Sequence, residues 1–260
     1  VINIASILNT YRKEKLVIVV SAMDKTTNAM EELVIAHCKQ NKTAADQLKK
    51  TKDFHYGIID ALFEKQNNGP ILNRVDQLFK ELESILEQDP VDNYNCEYAR
   101  IVCYGELLST SIIHEYLVSQ NMTVDWIDAR KIIKTNNDYR EAKINWPQTE
   151  KNIKKYISPS INENKLVITQ GFIGSTAETM TSTLGREGSD FTAAILGSVL
   201  DAEYVSVWKD VPGILNADPK LFNFAKKMDL VSYKEAIEMT YYGSKVLHPK
   251  TIKPLENKGI

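Results

Sequence analysis

The stretch LVITQGFIGSTAETMTSTLGREGSDFTAA, residues 166–194, decides the fold. An apolar, β-branched run ends after Gln170, a polar loop of Ser, Thr and Glu follows, and G-R-E-G-S-D opens a second apolar segment. This order predicts a strand, a long loop, a glycine turn and a helix. A glycine turn lets the backbone approach a ligand closely, and a helix start offers free N–H groups. With Arg186, Ser189 and Asp190 in the turn, we expect a site for a small molecule that carries an anionic group.

Composition points to a globular protein of ordinary character. Of the 260 residues, 43% are hydrophobic and 25% charged, and the chain can bury a sizeable core. The net charge of −2 gives no indication of a nucleic-acid partner or a membrane-surface patch. No apolar run approaches the roughly 20 residues that span a bilayer, and the first residues show no signal-peptide pattern.

Cysteine and histidine usage gives no sign of a metal site. The three cysteines form no C-x-x-C pair, and the four histidines show no ligand spacing. An odd number of scattered cysteines favours reduced thiols, and with them a cytoplasmic location.

Short apolar runs alternate with helical patterns along the chain. The predicted strands are residues 15–20, 123–128, 166–170 and 204–208. The predicted helices are residues 1–13, 27–88 with a break at 67–70, 97–119, 146–156, 191–200, 233–242 and a last one ending at 256. The alternation predicts one α/β domain over residues 1–260, with a mainly parallel sheet covered on both faces. Residues 28–95 form a helical excursion within it, and Thr27 or Asn28 with Glu31 is a predicted cap.

Gly105 and Glu106 stand in the middle of the predicted helix 97–119. An interior glycine costs about 1 kcal/mol relative to alanine, which suggests a close packing contact or a ligand. From the pattern alone, a glutamate at the helix edge is the favoured interpretation of Glu106, and a partly buried acid is the alternative.

Polar clusters follow three of the predicted strands, at residues 21–27, 171–190 and 209–210. In parallel α/β sheets, ligands bind at the carboxyl ends of the strands, so we expect the three clusters to converge. The chain has no G-x-x-x-x-G-K-[ST] loop, no G-x-G-x-x-G after a strand and no H-R-D or D-F-G set. A P-loop, a Rossmann cofactor site and a protein-kinase site are therefore not supported.

The motifs together resemble one family. The segments VVSAMDKTTN, VITQGFIGS, TSTLGREGSDFTAA, VWKDVPGILNADP and YYGSKVLHPKTI are similar, in this order, to those of aspartokinases within the amino acid kinase family. The resemblance implies a three-layer α/β/α sandwich and a homodimer. It also implies transfer of a phosphoryl group from Mg²⁺-ATP to the side chain of L-aspartate, giving 4-phospho-L-aspartate for lysine, threonine and methionine biosynthesis. A carboxylate acceptor is already ionised at neutral pH, so positioning and charge neutralisation remain as the catalytic tasks.

The resemblance also implies roles for individual residues. Arg186 would bind the α-carboxylate of aspartate and Glu106 its α-ammonium. The other residues implied for the substrate pocket are Ser21, Thr27, Phe172 and Ser189. Asp190 would orient catalytic lysines, of which Lys245 would contact the ATP phosphates. The remaining nucleotide contacts would be Lys209, Asp210, Leu215, Lys220 and the backbone of Val246. Mg²⁺ would be held by the ATP phosphates, with no dedicated protein site.

The chain departs from the family pattern in several places. Residues 1–260 contain no K-[FY]-G-G-T-S strand, which we expect upstream of Val1, and regulatory ACT domains normally follow in the family. The other departures are Glu187 for Gly, Lys209 for Thr, Leu215 for Tyr and Lys220 for Arg. Two alternatives stay open: a non-catalytic module that senses an amino acid or nucleotide, and a sibling kinase acting on another carboxylate. Taken singly, Arg186 could pair with Glu187 or Asp190, Asp210 could cap a turn, and Lys245 could be solvated.

Overall fold

The structure is a computed structural model that describes residues 1–11, 13–41, 43–64, 66, 68–243 and 246–260. The chain has two compact units, Val1–Ser189 and Asp190–Ile260, and each is described by itself. Lys245 lies outside the described residues, so its predicted catalytic role stays a prediction.

A parallel three-stranded sheet forms the centre of the first unit. Its strands are β1 Val17–Val20, β2 Val124–Ile127 and β3 Leu166–Gln170, in the order β1-β3-β2. The central strand β3 is buried along its whole length. Three of the predicted strands and their parallel pairing are therefore confirmed, and β3 has the predicted bounds.

Helices make up most of the first unit. They are α1 Ile2–Thr10, α2 Thr26–Cys38, α3 Thr43–Leu62, α4 Gly69–Leu86, α5 Tyr94–Val102, α6 Tyr104–Ser119, α7 Ala129–Ile132, α8 Trp146–Tyr156 and α9 Ser158–Asn162. One apolar core joins α2 to α6 and includes Leu33, Phe79 and Leu107. A second core packs α1 and α6 on the sheet through Leu8, Leu117 and Ile168. The helices of the excursion thus share a core with α6, while the bounds 28–95 and the single domain stay predictions.

The prediction of one long helix over residues 97–119 is wrong, because this segment belongs to two helices, α5 and α6, with a break at Cys103. Apolar residues recur at helical spacing on both sides of the break, so the periodicity alone did not show it. As a result Gly105 and Glu106 lie in the first turn of α6 and not in mid-helix.

Two further predictions near the sheet need correction. Residues 171–190 are not one long loop, because β4 Ile173–Ser175 and β5 Thr181–Thr183 pair as an antiparallel hairpin. The predicted cap at Thr27 or Asn28 is also wrong: α2 begins at Thr26, and its N-cap Lys25 makes no side-chain capping bond.

The second unit is helical where it is regular. α10 Gly188–Val199 begins in the first unit and continues into the second, which also contains α11 Tyr233–Tyr241 and α12 Pro249–Glu256. The predicted strand 204–208 is not a strand, and Tyr204 and Trp208 are more than half exposed. A β-branched and aromatic run becomes a strand only where a neighbour pairs with it. None of the described helices is long and apolar enough to cross a membrane.

Candidate active site

The loop after β1 and the turn after β3 begin side by side. The two strands are neighbours in the sheet, and the Gly171 N–H donates a hydrogen bond of 2.9 Å to the Val20 carbonyl. Two of the three predicted polar clusters, residues 21–27 and 171–190, therefore start at the same edge of the sheet. The third cluster, at Lys209 and Asp210, belongs to the second unit and does not follow a strand.

Gly105 brings the first turn of α6 against the β1 loop. A Cβ atom at Gly105 would lie 3.0 Å from Ala22 Cβ and 3.5 Å from Thr26 Cγ2, which is tight contact. The close approach lets the Ala22 N–H donate to Glu106 Oε1 over 3.3 Å. The packing contact expected at this glycine is thus confirmed, and it places the adjacent carboxyl group at the end of β1.

Glu106 is buried, so the helix-edge interpretation is wrong. Glu106 is 2% exposed, and this burial raises the pKa of its carboxyl group to about 8. The hydrogen bond from Ala22 lowers the pKa by a smaller amount. Glu106 Oε2 has no hydrogen-bond partner among the described residues. A buried carboxyl oxygen without a partner is costly, and a bound cation would relieve that cost.

The rest of the β1 loop is held by its backbone. Ser109, on α6, donates from Oγ to the Ser21 carbonyl over 2.7 Å, while the Ser21 residue itself is exposed. Thr27 lies partly buried in the first turn of α2. Ser109 was not among the predicted residues, although its position three residues after Glu106 on one helix face was a usable signal.

The glycine turn packs closely against the end of β3, with Ser189 beside Gly171 and Phe172 beside Gly188. A Cβ atom at Gly171 would lie 2.4 Å from Ser189 Cβ, and one at Gly188 would lie 2.7 Å from Phe172 Cδ2. Phe172 has a positive φ of 66°, and its carbonyl accepts from Leu184 N over 2.8 Å. The two glycines therefore allow the start of α10 to approach the end of β3 at van der Waals distance.

Arg186 lies exposed between Gly185 and Glu187, which both have positive φ, 74° and 53°. It forms no ion pair with any residue that the structure describes. The alternative in which it pairs with Glu187 or Asp190 is therefore not supported. Its planar guanidinium is free to bind a carboxylate in two-point fashion.

In the second unit, Lys209 joins two other predicted residues. Its Nζ lies 2.8 Å from Asp190 Oδ2 and donates to the Val246 carbonyl over 2.7 Å. Asp190 therefore pairs with Lys209, and its predicted role in orienting catalytic lysines stays a prediction.

The other predicted nucleotide contacts lie at the surface. Asp210 and Lys220 are exposed, and Lys220 N donates to Asp218 Oδ1 over 2.9 Å in a local turn. Leu215 is partly buried and forms an isolated antiparallel bridge with Lys227. Within the described ranges no group of three or more His, Cys, Asp or Glu could hold a metal ion.

Comparison with known proteins places the chain in a family. A family model described as the amino acid kinase family matches residues 1–260. The chain belongs to the amino acid kinase family. Among its relatives, lysine-sensitive aspartokinase 3 of Escherichia coli is 33% identical over 237 residues, which are 91% of this chain and 51% of that protein. A chloroplastic bifunctional aspartokinase/homoserine dehydrogenase 2 of Arabidopsis thaliana is 30% identical over 97% of this chain and 28% of its own length.

Solved structures of this family have the same fold. Escherichia coli aspartokinase III in complex with aspartate and ADP matches with a TM-score of 0.87, at 32% identity, over 98% of this chain and 55% of that one. The aspartate kinase of Clostridium acetobutylicum matches with a TM-score of 0.77 at 25% identity, over 99% of this chain and 54% of its own. The amino acid kinase fold predicted from the sequence is confirmed, and the chain spans about half the length of these enzymes, or less.

Proposed function

We propose that this chain is the catalytic region of an aspartate kinase. It would transfer the γ-phosphoryl group of ATP to the side-chain carboxylate of L-aspartate, giving 4-phospho-L-aspartate and ADP, at the first step of lysine, threonine and methionine biosynthesis. Support comes from relatives named as aspartokinases at 30–33% identity over more than nine-tenths of the chain.

The observation that carries the proposal is the unpartnered, buried oxygen of Glu106. A carboxylate in that position attracts an ammonium group strongly, because charges interact more strongly in a buried, low-dielectric site and Oε2 has no other hydrogen-bond partner among the described residues. Arg186 supplies the complementary cation for a carboxylate. One buried acid and one unpaired guanidinium match the two ends of a free amino acid, which favours an unblocked substrate over an N-acylated one.

The reaction asks little of the protein beyond positioning. The aspartate side chain is ionised at neutral pH, so one of its oxygens attacks the γ-phosphorus without a general base, and the bond to the β-phosphate oxygen breaks. Lys209, held on Asp190, would offset negative charge on the transferring group. Mg²⁺ would arrive with the ATP phosphates and neutralise part of their charge.

Trapping the acyl phosphate with hydroxylamine tests the proposal. The full-length gene product should form a hydroxamate from L-aspartate in an ATP-dependent manner, and should do so poorly with L-glutamate, N-acetyl-L-glutamate and N-acetyl-L-aspartate. Hydroxamate from one of those acceptors, with none from aspartate, would move the assignment to a sibling kinase. If calorimetry shows that the protein binds aspartate but no turnover occurs, the protein is a sensing module and not an enzyme.

We also propose a cytoplasmic homodimer, in keeping with the family resemblance and the three cysteines, which are all unpaired. Sedimentation equilibrium of the full-length protein should give twice the chain mass. A concentration-independent monomer would contradict the dimer.

A further inference from the structure

Gln170 ends β3 with a buried polar side chain. The residue is fully buried, and its carboxamide faces the α6 side of the sheet. Gln170 Nε2 donates to Thr110 Oγ1 over 2.7 Å, and Gln170 Oε1 accepts from Ala129 N, at the start of α7, over 2.8 Å. One side chain therefore ties the end of the central strand to two helices.

Thr110 is the junction on α6. Its hydroxyl accepts from Gln170 and from Trp126 Nε1, the latter over 3.1 Å, and donates to the Glu106 carbonyl over 2.8 Å. Thr110 is also fully buried, so water does not compete for these bonds. The chain of contacts runs from Gln170 through Thr110 to the backbone of Glu106.

A buried amide of this kind is not needed for a stable core. An apolar side chain of similar size would fill the space without the cost of burying polar atoms. What the carboxamide adds is direction: its bond to Thr110 fixes the height of α6 relative to the end of β3, and its bond from Ala129 fixes the start of α7. The residues that follow Gln170 are Gly171 and Phe172, at the turn that approaches Ser189.

We propose that Gln170 is a positioning residue for amino-acid binding. Through Thr110 it sets the first turn of α6, and with it the position of the Glu106 carboxyl beside the end of β1, where that carboxyl would bind the substrate ammonium. The inference rests on the proposed function and assigns to this site a residue that does not touch the substrate. A misplacement of about 1 Å in such a site can cost up to a hundredfold in rate, so the effect should be measurable.

The test compares Thr110→Val and Gln170→Met with matched variants in the full-length protein. Each should raise the KM for aspartate roughly tenfold while the KM for ATP changes less than about twofold, because the lost bonds orient only the amino-acid side. Thr110→Ser keeps the hydroxyl and should restore the aspartate KM to near the wild-type value. Ser111→Ala is the control, since Ser111 is a buried neighbour on α6 whose Oγ has no hydrogen-bond partner among the described residues, and it should leave both constants unchanged.

The double variant separates a linked pair from two independent losses. If Gln170 acts through Thr110, Thr110→Val with Gln170→Met should be no worse than the more affected single variant. Losses that multiply, or KM values for both substrates that rise in parallel with a fall in Tm, would overturn the positioning role. Calorimetric affinity for aspartate gives the same comparison for any variant with too little turnover.

The experiments distinguish a failure of the proposed function from a failure of the positioning role of Gln170. If the wild type forms no aspartyl hydroxamate and binds no aspartate, the proposed function fails and this inference falls with it. If the wild type is active and the Gln170 and Thr110 variants keep the wild-type KM for aspartate, only the positioning role is wrong.

Discussion

At the residue scale, the protonation state of Glu106 affects both the stability of the folded protein and the binding of an ammonium ligand. Burial raises the pKa of its carboxyl to about 8, so the free site is largely protonated at pH 7. In the unliganded protein this group favours the folded state below its ordinary pKa, and that contribution is lost as the pH rises from the unfolded value towards 8. An ammonium ligand binds the ionised form, so ligand affinity has the opposite dependence on pH.

The pH profile of aspartate binding should therefore report on Glu106. We expect the KM for aspartate to fall roughly eightfold between pH 7 and 8.5, because the carboxylate fraction rises over that range. Glu106→Gln should raise the KM and flatten the profile, whereas the KM for ATP should follow no such trend. A steady-state titration with both substrates gives the result, and an unchanged slope in Glu106→Gln would count against this assignment.

Gly171 offers a steric test of the turn. An added Cβ would lie 2.4 Å from Ser189 Cβ and 2.6 Å from its Cα, and a backbone neighbour cannot move aside cheaply. Gly171→Ala should lower stability by about 2 kcal/mol or more and raise the KM for aspartate.

Gly57→Ala is the matched control for that substitution. Gly57 lies in α3, and an added Cβ would meet nothing within 4 Å, so this variant should gain about 0.5–1 kcal/mol. Urea unfolding of the two variants gives the comparison; a Gly171→Ala protein as stable as the wild type would show that the turn is not closely packed.

The sequence was enough to predict a ligand turn from its residue types, but it did not predict that Glu106 is buried. The glycines on either side of Arg186 indicated a ligand turn, and in the structure Ser189 lies beside Gly171 and Phe172 beside Gly188. Glu106 was assigned to a helix edge because its burial depends on Ala22 and on the break at Cys103, both set by tertiary contacts. Gln170 was missed for the same reason, since its hydrogen-bond partner Thr110 lies 60 residues away and leaves no local pattern.

At the scale of elements, the buried carboxyl group of Glu97 on α5 lies against His37 on α2. Glu97 is fully buried, with Oε1 3.2 Å from His37 Nε2 and Oε2 3.2 Å from Arg100 Nη1. The Val91 N–H also donates to Glu97 Oε2, over 3.4 Å. Since α2 carries Thr26 and Thr27 in its first turn, this contact anchors the helix that follows the β1 loop.

Removing the carboxylate should loosen that anchor. Glu97→Ala leaves His37 and Arg100 without their shared partner, and we expect a loss of about 3 kcal/mol in the free energy of unfolding. Glu150→Ala removes an acid from the exposed Lys154 pair on α8 and should cost less than about 0.5 kcal/mol. Denaturant unfolding measures both, and equal losses in the two variants would contradict the anchoring role.

Elements differed in how well local sequence determined them. β3 and α8 were predicted to the residue, because each is a run bounded by clear start or stop signals: charged and polar residues around the strand and Asn145-Trp146-Pro147 at the helix start. Residues 204–208 have strand propensity and yet form no strand, and the 171–190 segment conceals a hairpin of Ser, Thr and Gly residues. In both cases, strand formation depends on pairing with another segment, and the strand propensity of a segment does not show whether such a partner exists.

For the whole molecule, the parallel sheet and the family match lead to one interpretation. Parallel strands place their carboxyl ends at one edge, and Glu106, the close glycine turn and Arg186 all belong to segments that follow or adjoin that edge. The family match over residues 1–260 assigns the chain that has this geometry to the amino acid kinases. In the proposed function, Glu106 would bind the free ammonium group of the substrate, and this contact would distinguish a free amino acid from an N-acylated one.

The selectivity of the full-length protein for L-aspartate over N-acetyl-L-aspartate, measured as a ratio of kcat/KM in the hydroxamate assay, tests that claim most directly. Acetylation removes the ammonium and leaves both carboxylates, so a change in this ratio between the wild type and Glu106→Gln reports on the contact with Glu106. We predict a ratio of at least about 100 for the wild type, and a ratio reduced by tenfold or more in Glu106→Gln. Comparable use of the two acceptors by the wild type, or a ratio that Glu106→Gln leaves unchanged, would contradict the account.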